Sequence, residues 1–223
     1  MTITKFIDGY SVTARLFPAL LVIGPLYLAS ITLFQESIAL YSVAYVVLSL
    51  PMTYALMNII RLRGKAFQEA TTDWNLLEQT LKGEVTEYGQ IVPTDRIKLL
   101  ANKFKEDGAA RLIESTRDQK LFPTVYSEVK FYGFIRNCLA IKPQLLWLNL
   151  FLIACLFFGA YFSGTNNGKL LFPTTSIASF LGCALALGAL SIGIIGMITR
   201  GALKQASINY VKAICQAGLS LCD

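Results

Sequence analysis

The chain contains no histidine. That absence removes Ser-His-Asp and Cys-His general bases, His-ligated zinc or haem, and histidine-dependent ribonuclease chemistry. Most hydrolase classes go with them. The cysteines form no C-x-x-C pair, and neither a G-x-x-x-x-G-K-[ST] loop nor a G-x-G-x-x-G fingerprint occurs. Glu106-Asp107 stands at a charged helix end, where solvation is the ordinary explanation for paired acids. The expectation is a protein that is not an enzyme and carries neither cofactor nor metal.

Charge is scarce as well: 15% of residues are charged and 54% are apolar, a poor balance for a water-facing surface. The few charges are segregated. Glu36 is the only ionisable acid or base between Arg15 and Arg61, and none lies between Lys142 and Lys169 or between Lys169 and Arg200. A bilayer core of about 30 Å takes about 20 apolar residues in helix, because hydrocarbon offers no partner to a free N–H or C=O. Four runs meet that requirement: Leu16 to Phe34, Ile38 to Ile60, Leu145 to Phe162 and Ile177 to Thr199. The first is long for a signal-peptide core and has no obvious cleavage site after it, so it reads as a retained helix.

Orientation follows from the cations, which concentrate on cytoplasmic flanks. Lys5 and Arg15 precede the first run, fourteen Lys/Arg fall from Arg61 to Lys142, and Arg200, Lys204 and Lys212 follow the fourth; only Lys169 remains for the other side. The expectation is an all-α multi-pass protein of the bacterial inner membrane with both termini cytoplasmic. Its segments are an interfacial stretch (1–15), two spans (16–60), a cytoplasmic helical ligand-binding domain (61–142), two further spans (143–199) and a cytoplasmic C-terminal helix (200–223). Cys155 and Cys183 fall inside spans, and Cys138, Cys215 and Cys222 fall on the reducing side, so no disulfide is expected. The net charge of +6 fits the positive-inside bias, and equally a cytoplasmic anionic ligand.

Within 61–142, Arg61-Leu62-Arg63-Gly64-Lys65 is a basic cluster suited to anionic headgroups. Residues 66–90 read as one or two helices stopped at Lys82-Gly83. Pro93-Thr94-Asp95 opens a helix with Ile97, Leu100, Ala101 and Phe104 on one face, and Gly108 provides its stop. Ala109 to Asp118 forms another, Pro123 starts a third, and Pro143 marks the junction with the third span. So small a helical segment needs the membrane helices or copies of itself for stability.

Cations and aromatics interleave here: Trp74, Arg96, Lys98, Lys103 and Lys105, then Arg111, Arg117, Lys120, Tyr126 and Lys130. Phosphates need cations and unstacked bases need flat apolar faces, so the mixture suits a single-stranded oligonucleotide or a nucleotide. Eleven acids share the segment, and a solvated surface accounts for the pattern equally well.

Two uncharged stripes lie in the spans. Gly182, Ala186, Ala189, Gly193 and Gly196 recur at spacings of 4, 3, 4 and 3, which permits close helix approach within the chain, between subunits or along a pore. Ser42, Tyr45, Ser49 and Thr53 recur at 3, 4 and 4; such hydroxyls satisfy themselves on the preceding turn or line a permeation path. The spans hold no Asp, Glu, Lys or Arg, which argues against a transporter built on titrating groups.

The run Thr116-Arg117-Asp118-Gln119-Lys120-Leu121-Phe122-Pro123-Thr124-Val125-Tyr126-Ser127-Glu128, then Tyr132-Gly133-Phe134-Ile135-Arg136-Asn137 and Lys142-Pro143, resembles a signature of a family of bacterial four-helix membrane proteins. The run Ala14-Arg15-Leu16-Phe17-Pro18-Ala19-Leu20-Leu21 resembles the opening of that family's first span. The family is similar to the membrane effectors of nucleotidyltransferase-linked anti-phage defence, in particular the channel-forming partner in Hailong-type systems. The resemblance implies a homo-oligomeric ion channel, four copies favoured, whose cytoplasmic domain binds a single-stranded DNA or nucleotide signal made by a partner nucleotidyltransferase, with growth arrest as the outcome. A Gly-Gly-Lys-Pro-Thr-Thr segment of many relatives is represented here only by Gly64-Lys65 and Thr71-Thr72. The competing reading is a non-conducting membrane scaffold that recruits a protein partner through residues 61–142.

Overall fold

The computed structural model describes residues 9–33, 38–69, 76–83, 92–104, 108–163 and 177–222, the side chains of 38–48 and of Thr94 excepted. Helix accounts for 91% of the described residues and no strand occurs among them, so the chain is all-α. We number the helices α1 (Gly9–Leu33), α2 (Ile38–Glu69), α3 (Leu76–Lys82), α4 (Thr94–Lys103), α5 (Gly108–Ser115), α6 (Pro123–Ser163), α7 (Ile177–Met197) and α8 (Arg200–Ser220).

Local chemistry explains most helix ends. Gly83, at φ +72, closes α3 in the left-handed conformation that glycine adopts without steric cost. Pro93 precedes α4 and Pro123 is the first residue of α6; each sits where its missing N–H removes no helical bond. Gly108 does not stop α4: α4 ends at Lys103, and Gly108 opens α5. The helix expected to Asp118 ends at Ser115, where the Thr116 hydroxyl donates to the Leu112 carbonyl (2.8 Å) and Asp118 accepts from the Lys120 N–H (2.8 Å), side-chain bonds that compete with helix continuation. The helix α6 runs unbroken through Pro143; one lost backbone bond is tolerated in a helix supported by neighbours.

Three helices, Gly9–Leu33, Pro123–Ser163 and Ile177–Met197, are long and apolar enough to cross a membrane. The second expected span begins in 38–48, whose side chains lie outside the described residues, as do most of the two expected external loops and residues 1–8.

The chain divides into two compact units. The first comprises Met1–Ala14, Arg63–Asn137 and Arg200–Asp223; the second comprises Arg15–Leu62 and Cys138–Thr199. The core of the first draws Leu76 and Leu77 from α3, Ile97 and Leu100 from α4, Leu112 from α5, Val125 from α6, and Val211, Ile214 and Cys215 from α8. Ile97 and Leu100 are buried as expected, Phe104 packs against them, and Ala101 on the same stripe is exposed. Gly218 lets α8 approach closely: a Cβ there would overlap Leu112 and stand 2.9 Å from Leu100.

In the second unit, Ala29 of α1, Leu152, Leu156 and Ala160 of α6, and Phe180, Cys183, Ala184 and Leu187 of α7 form one cluster. Gly159 makes room for the Phe180 ring, since a Cβ there would lie 2.8 Å from it. The outward residues of this unit are large and apolar: Tyr161 is 73% exposed, Leu185 74% and Met197 76%. Water-facing helices of this length carry a polar side; these do not, which fits helices solvated by hydrocarbon.

Candidate ligand and permeation surfaces

A buried polar joint within the first unit has its origin in the helix α1, at Pro18. Proline has no N–H, so the Ala14 carbonyl four residues earlier lacks its α-helical donor, and the helix widens to a π-turn over Val12–Leu16. Asn137 supplies a donor: its Nδ2 donates to the Ala14 carbonyl, and the side chain is 1% exposed. The Asn137 Oδ1 accepts from Nε and Nη2 of Arg136, both at 3.3 Å, and Arg136 Nη1 donates to Gln68 Oε1. Arg136 is also buried, with its guanidinium 5.8 Å from the Tyr132 ring centre.

Two glycines admit this arrangement. A Cβ on Gly64 would overlap Asn137 Oδ1, and one on Gly133 would stand 3.0 Å from the Ala14 Cβ and 3.1 Å from the Tyr10 hydroxyl. The two sequence runs that carry the family resemblance therefore meet here, Ala14 from one and Gly133, Arg136 and Asn137 from the other.

Eight of the ten expected ligand residues lie among the described residues. Trp74 and Lys105 lie outside the described residues. Arg96, Lys98 and Lys103 are exposed on α4, Arg111 is exposed on α5, and Arg117 and Lys120 are exposed in the turn before α6. Among the described residues none of these six makes an ion pair or a side-chain hydrogen bond; the one salt bridge found there is Lys82–Glu78 at 2.9 Å. Tyr126 and Lys130 have structural partners. The Tyr126 hydroxyl accepts from the Tyr10 N–H at 3.0 Å, and the Lys130 ammonium sits 4.7 Å from the Tyr126 ring centre.

The small-residue stripe of α7 does not pack within its own chain among the described residues. Gly182, Ala186, Ala189 and Gly196 are exposed and Gly193 is half-buried, and a Cβ on Gly182, Gly193 or Gly196 would meet nothing within 4 Å. The inward face of α7 is formed by Phe180, Cys183, Ala184, Leu187 and Ile194. Of the hydroxyl stripe, Ser42 and Tyr45 have side chains outside the described set, while Ser49 and Thr53 are half-buried and Thr53 donates to the Ser49 carbonyl at 2.6 Å. That bond is the self-satisfied arrangement.

Asn149 was not singled out from the sequence, although it is the only side-chain amide in the third apolar run. It is fully buried; its Nδ2 donates to Ser191 Oγ at 3.0 Å, and Ser191 donates to the Leu187 carbonyl at 2.9 Å. The Asn149 Oδ1 has no partner. Lys142, at the border of the same run, donates to the carbonyls of Ile195 (3.2 Å) and Ile198 (2.6 Å), supplying donors and a cation to the open end of α7.

All five cysteines are free, and burial pushes the Cys215 thiol up to about 12. No group of His, Cys, Asp or Glu among the described residues could hold a metal ion. Comparison with protein-family models, with curated proteins and with solved structures found no match.

Proposed function

We propose that this protein is a homo-oligomeric inner-membrane ion channel whose helical domain over 61–142 binds a nucleotide or single-stranded DNA signal. On this reading α2 supplies a fourth span, residues 61–142 and both termini face the cytoplasm, and opening depolarises the membrane in anti-phage defence. The observation that carries the proposal is the outward small-residue face of α7: a ladder of glycines and alanines without an in-chain partner among the described residues permits helices of neighbouring copies to approach closely in lipid. Support for the signal comes from the exposed cations on α4 and α5, which have no ion-pair partner among the described residues, attract phosphate and leave base recognition to other residues.

A single chain has too few polar membrane residues to line an aqueous path, so several copies around an axis are required, four being favoured. The signal gates only by binding one arrangement of the cytoplasmic domain more tightly than the other. Three helices that meet at the Arg136–Asn137 joint, α1, α2 and α6, have residues in both units, and the proposal routes coupling along them. The resemblance described above adds a partner nucleotidyltransferase as the source of the signal.

The test is conductance of the purified chain in a planar bilayer with short single-stranded DNA added to one side. Currents that respond to the oligonucleotide, and respond less when Lys98 and Lys103 are changed to Glu, support the channel. A membrane that stays silent under every condition, while residues 61–142 capture a protein partner, would establish the scaffold instead.

A further inference from the structure

We propose that a cavity in the first unit receives a single uncharged planar ring, the base of a nucleotide ligand, whose edge is read by the Ser207 hydroxyl. This rests on the nucleotide reading above and places its base-recognition site away from the exposed cations. The cavity, about 260 Å³, is bounded by α2, α3, α5, α6 and α8, and no charged side chain among the described residues lines it. Its size falls just under the roughly 300 Å³ at which pockets for drug-sized ligands begin, which suits one ring system rather than a whole nucleotide.

Ser207 is the residue that asks for a ligand. It is 4% exposed, lines the cavity, and its Oγ has no hydrogen-bond partner among the described residues. Other helical hydroxyls here donate to the carbonyl one turn earlier, as Thr80 does to Leu76 (2.7 Å) and Ser191 to Leu187 (2.9 Å); Ser207 does not. A buried hydroxyl without a partner is costly, and a ring nitrogen or carbonyl oxygen placed in the cavity would remove that cost.

The walls fit a flat guest. Tyr132 and Tyr210 stack at 5.9 Å between ring centres and 14° between planes, a ready surface for a base, while Leu76 and Ile113 supply aliphatic contact. Gln68 also lines the cavity, and Arg136 donates to its amide oxygen. Arg136 lies over the Tyr132 ring as well, so one buried guanidinium touches two walls of the cavity and also Asn137, which holds the Ala14 carbonyl. A base that shifts Gln68 or Tyr132 is thereby felt at the joint between α1 and α6. The phosphates of the same ligand stay outside; Arg111 is exposed two residues before Ile113 on α5.

The experiment is equilibrium dialysis of the full-length protein in mild detergent against adenosine, thymidine, hexa-deoxyadenylate and hexa-thymidylate. At least one nucleoside is expected to bind with little dependence on salt. Ser207→Leu, which fills the cavity, and Ser207→Ala, which only removes the hydroxyl, are each expected to weaken that nucleoside and the matching hexamer at least about tenfold. Charge reversal at Lys98 and Lys103 is expected to weaken the hexamers and spare the nucleosides. Hexamer binding unchanged in both Ser207 variants overturns the cavity assignment and leaves the nucleotide reading intact; binding of none of the four compounds overturns the assignment as well. Ser207-dependent nucleoside binding together with a bilayer that never responds to hexamers supports the cavity and defeats the channel.

Discussion

Alanine at position 64 puts a methyl group into the space of the Asn137 amide. The new Cβ would overlap Oδ1, stand 3.0 Å from Cγ and 3.4 Å from the Arg136 Nε, so the amide must leave. Its departure strips the donor from the Ala14 carbonyl, which Pro18 has already deprived of a helical partner, and the acceptor from two nitrogens of Arg136. A buried group left without a partner costs about 1–3 kcal/mol, more when charged, whereas alanine in place of glycine within a helix gains about 0.5–1 kcal/mol. The balance is a loss of about 3 kcal/mol. For a chain of this length about 1 kcal/mol moves the melting temperature by about 2–4 °C, so Gly64→Ala should lower it by about 6–12 °C. A fluorogenic maleimide in mild detergent reads this directly, because Cys138 and Cys215 are buried and become reactive on unfolding. In an Asn137→Ala background the obstruction is gone, and Gly64→Ala should now raise the melting temperature by about 1–3 °C. The sign change is the prediction. An equal loss in both backgrounds would refute the joint as described.

In the second unit, Gly159→Ala drives a methyl into the Phe180 ring and should destabilise the chain, while Phe180→Leu in the same molecule should recover most of the loss, read by the same melting assay. Gly182→Val and Gly196→Val meet no described neighbour within 4 Å and should leave the melting of the monomer unchanged. If α7 is the contact between copies, both should shift crosslinked oligomers to monomers; an unaltered crosslinking ladder removes α7 from that role. Burial, and secondarily the charges of Tyr10 and Tyr132, push the Tyr210 hydroxyl from 10.0 up to about 12, and burial pushes the Cys215 thiol from 9.0 up to about 12. The folded chain keeps both groups neutral where the unfolded chain ionises them. The resulting stability is present in full below about pH 9 and is lost as the pH rises towards about 12, so melting temperatures should fall across that window. Tyr210→Phe with Cys215→Ala should flatten the fall, and an unchanged slope would contradict the assignment.

Much of the helical layout was legible in residue order, because the signals that stop or start a helix are local. Gly83 ends α3, Pro93 and Pro123 precede or open helices, and Ile97 and Leu100 point into the core, as spacing indicated. That α6 continues through Pro143 was not legible, because a proline's effect depends on whether surrounding helices support the freed carbonyl, which residue order does not show. The ligand surface was legible only as composition. Arg96, Lys98 and Lys103 are exposed as a binding role requires, but Tyr126 and Lys130 are tied to the segment around Gly9 and Tyr10, a contact more than a hundred positions distant. The Asn137–Ala14 bond spans 123 positions and was likewise invisible, although its cause, a proline four residues after a carbonyl, was in plain view. Ser207, Tyr132 and Tyr210 could not have been grouped without the fold, since each alone is an ordinary helical residue. Asn149 is the exception: a lone amide in an otherwise apolar run is a signal, and it was passed over.

Single-cysteine labelling in intact cells tests the membrane arrangement on which the functional reading stands. In a background with the five native cysteines replaced, Asn166→Cys should react with a membrane-impermeant maleimide added outside, and Lys103→Cys, at an exposed position on α4, should react only after lysis. Reaction of both from the same side, or recovery of the chain in the aqueous fraction without detergent, would contradict the account.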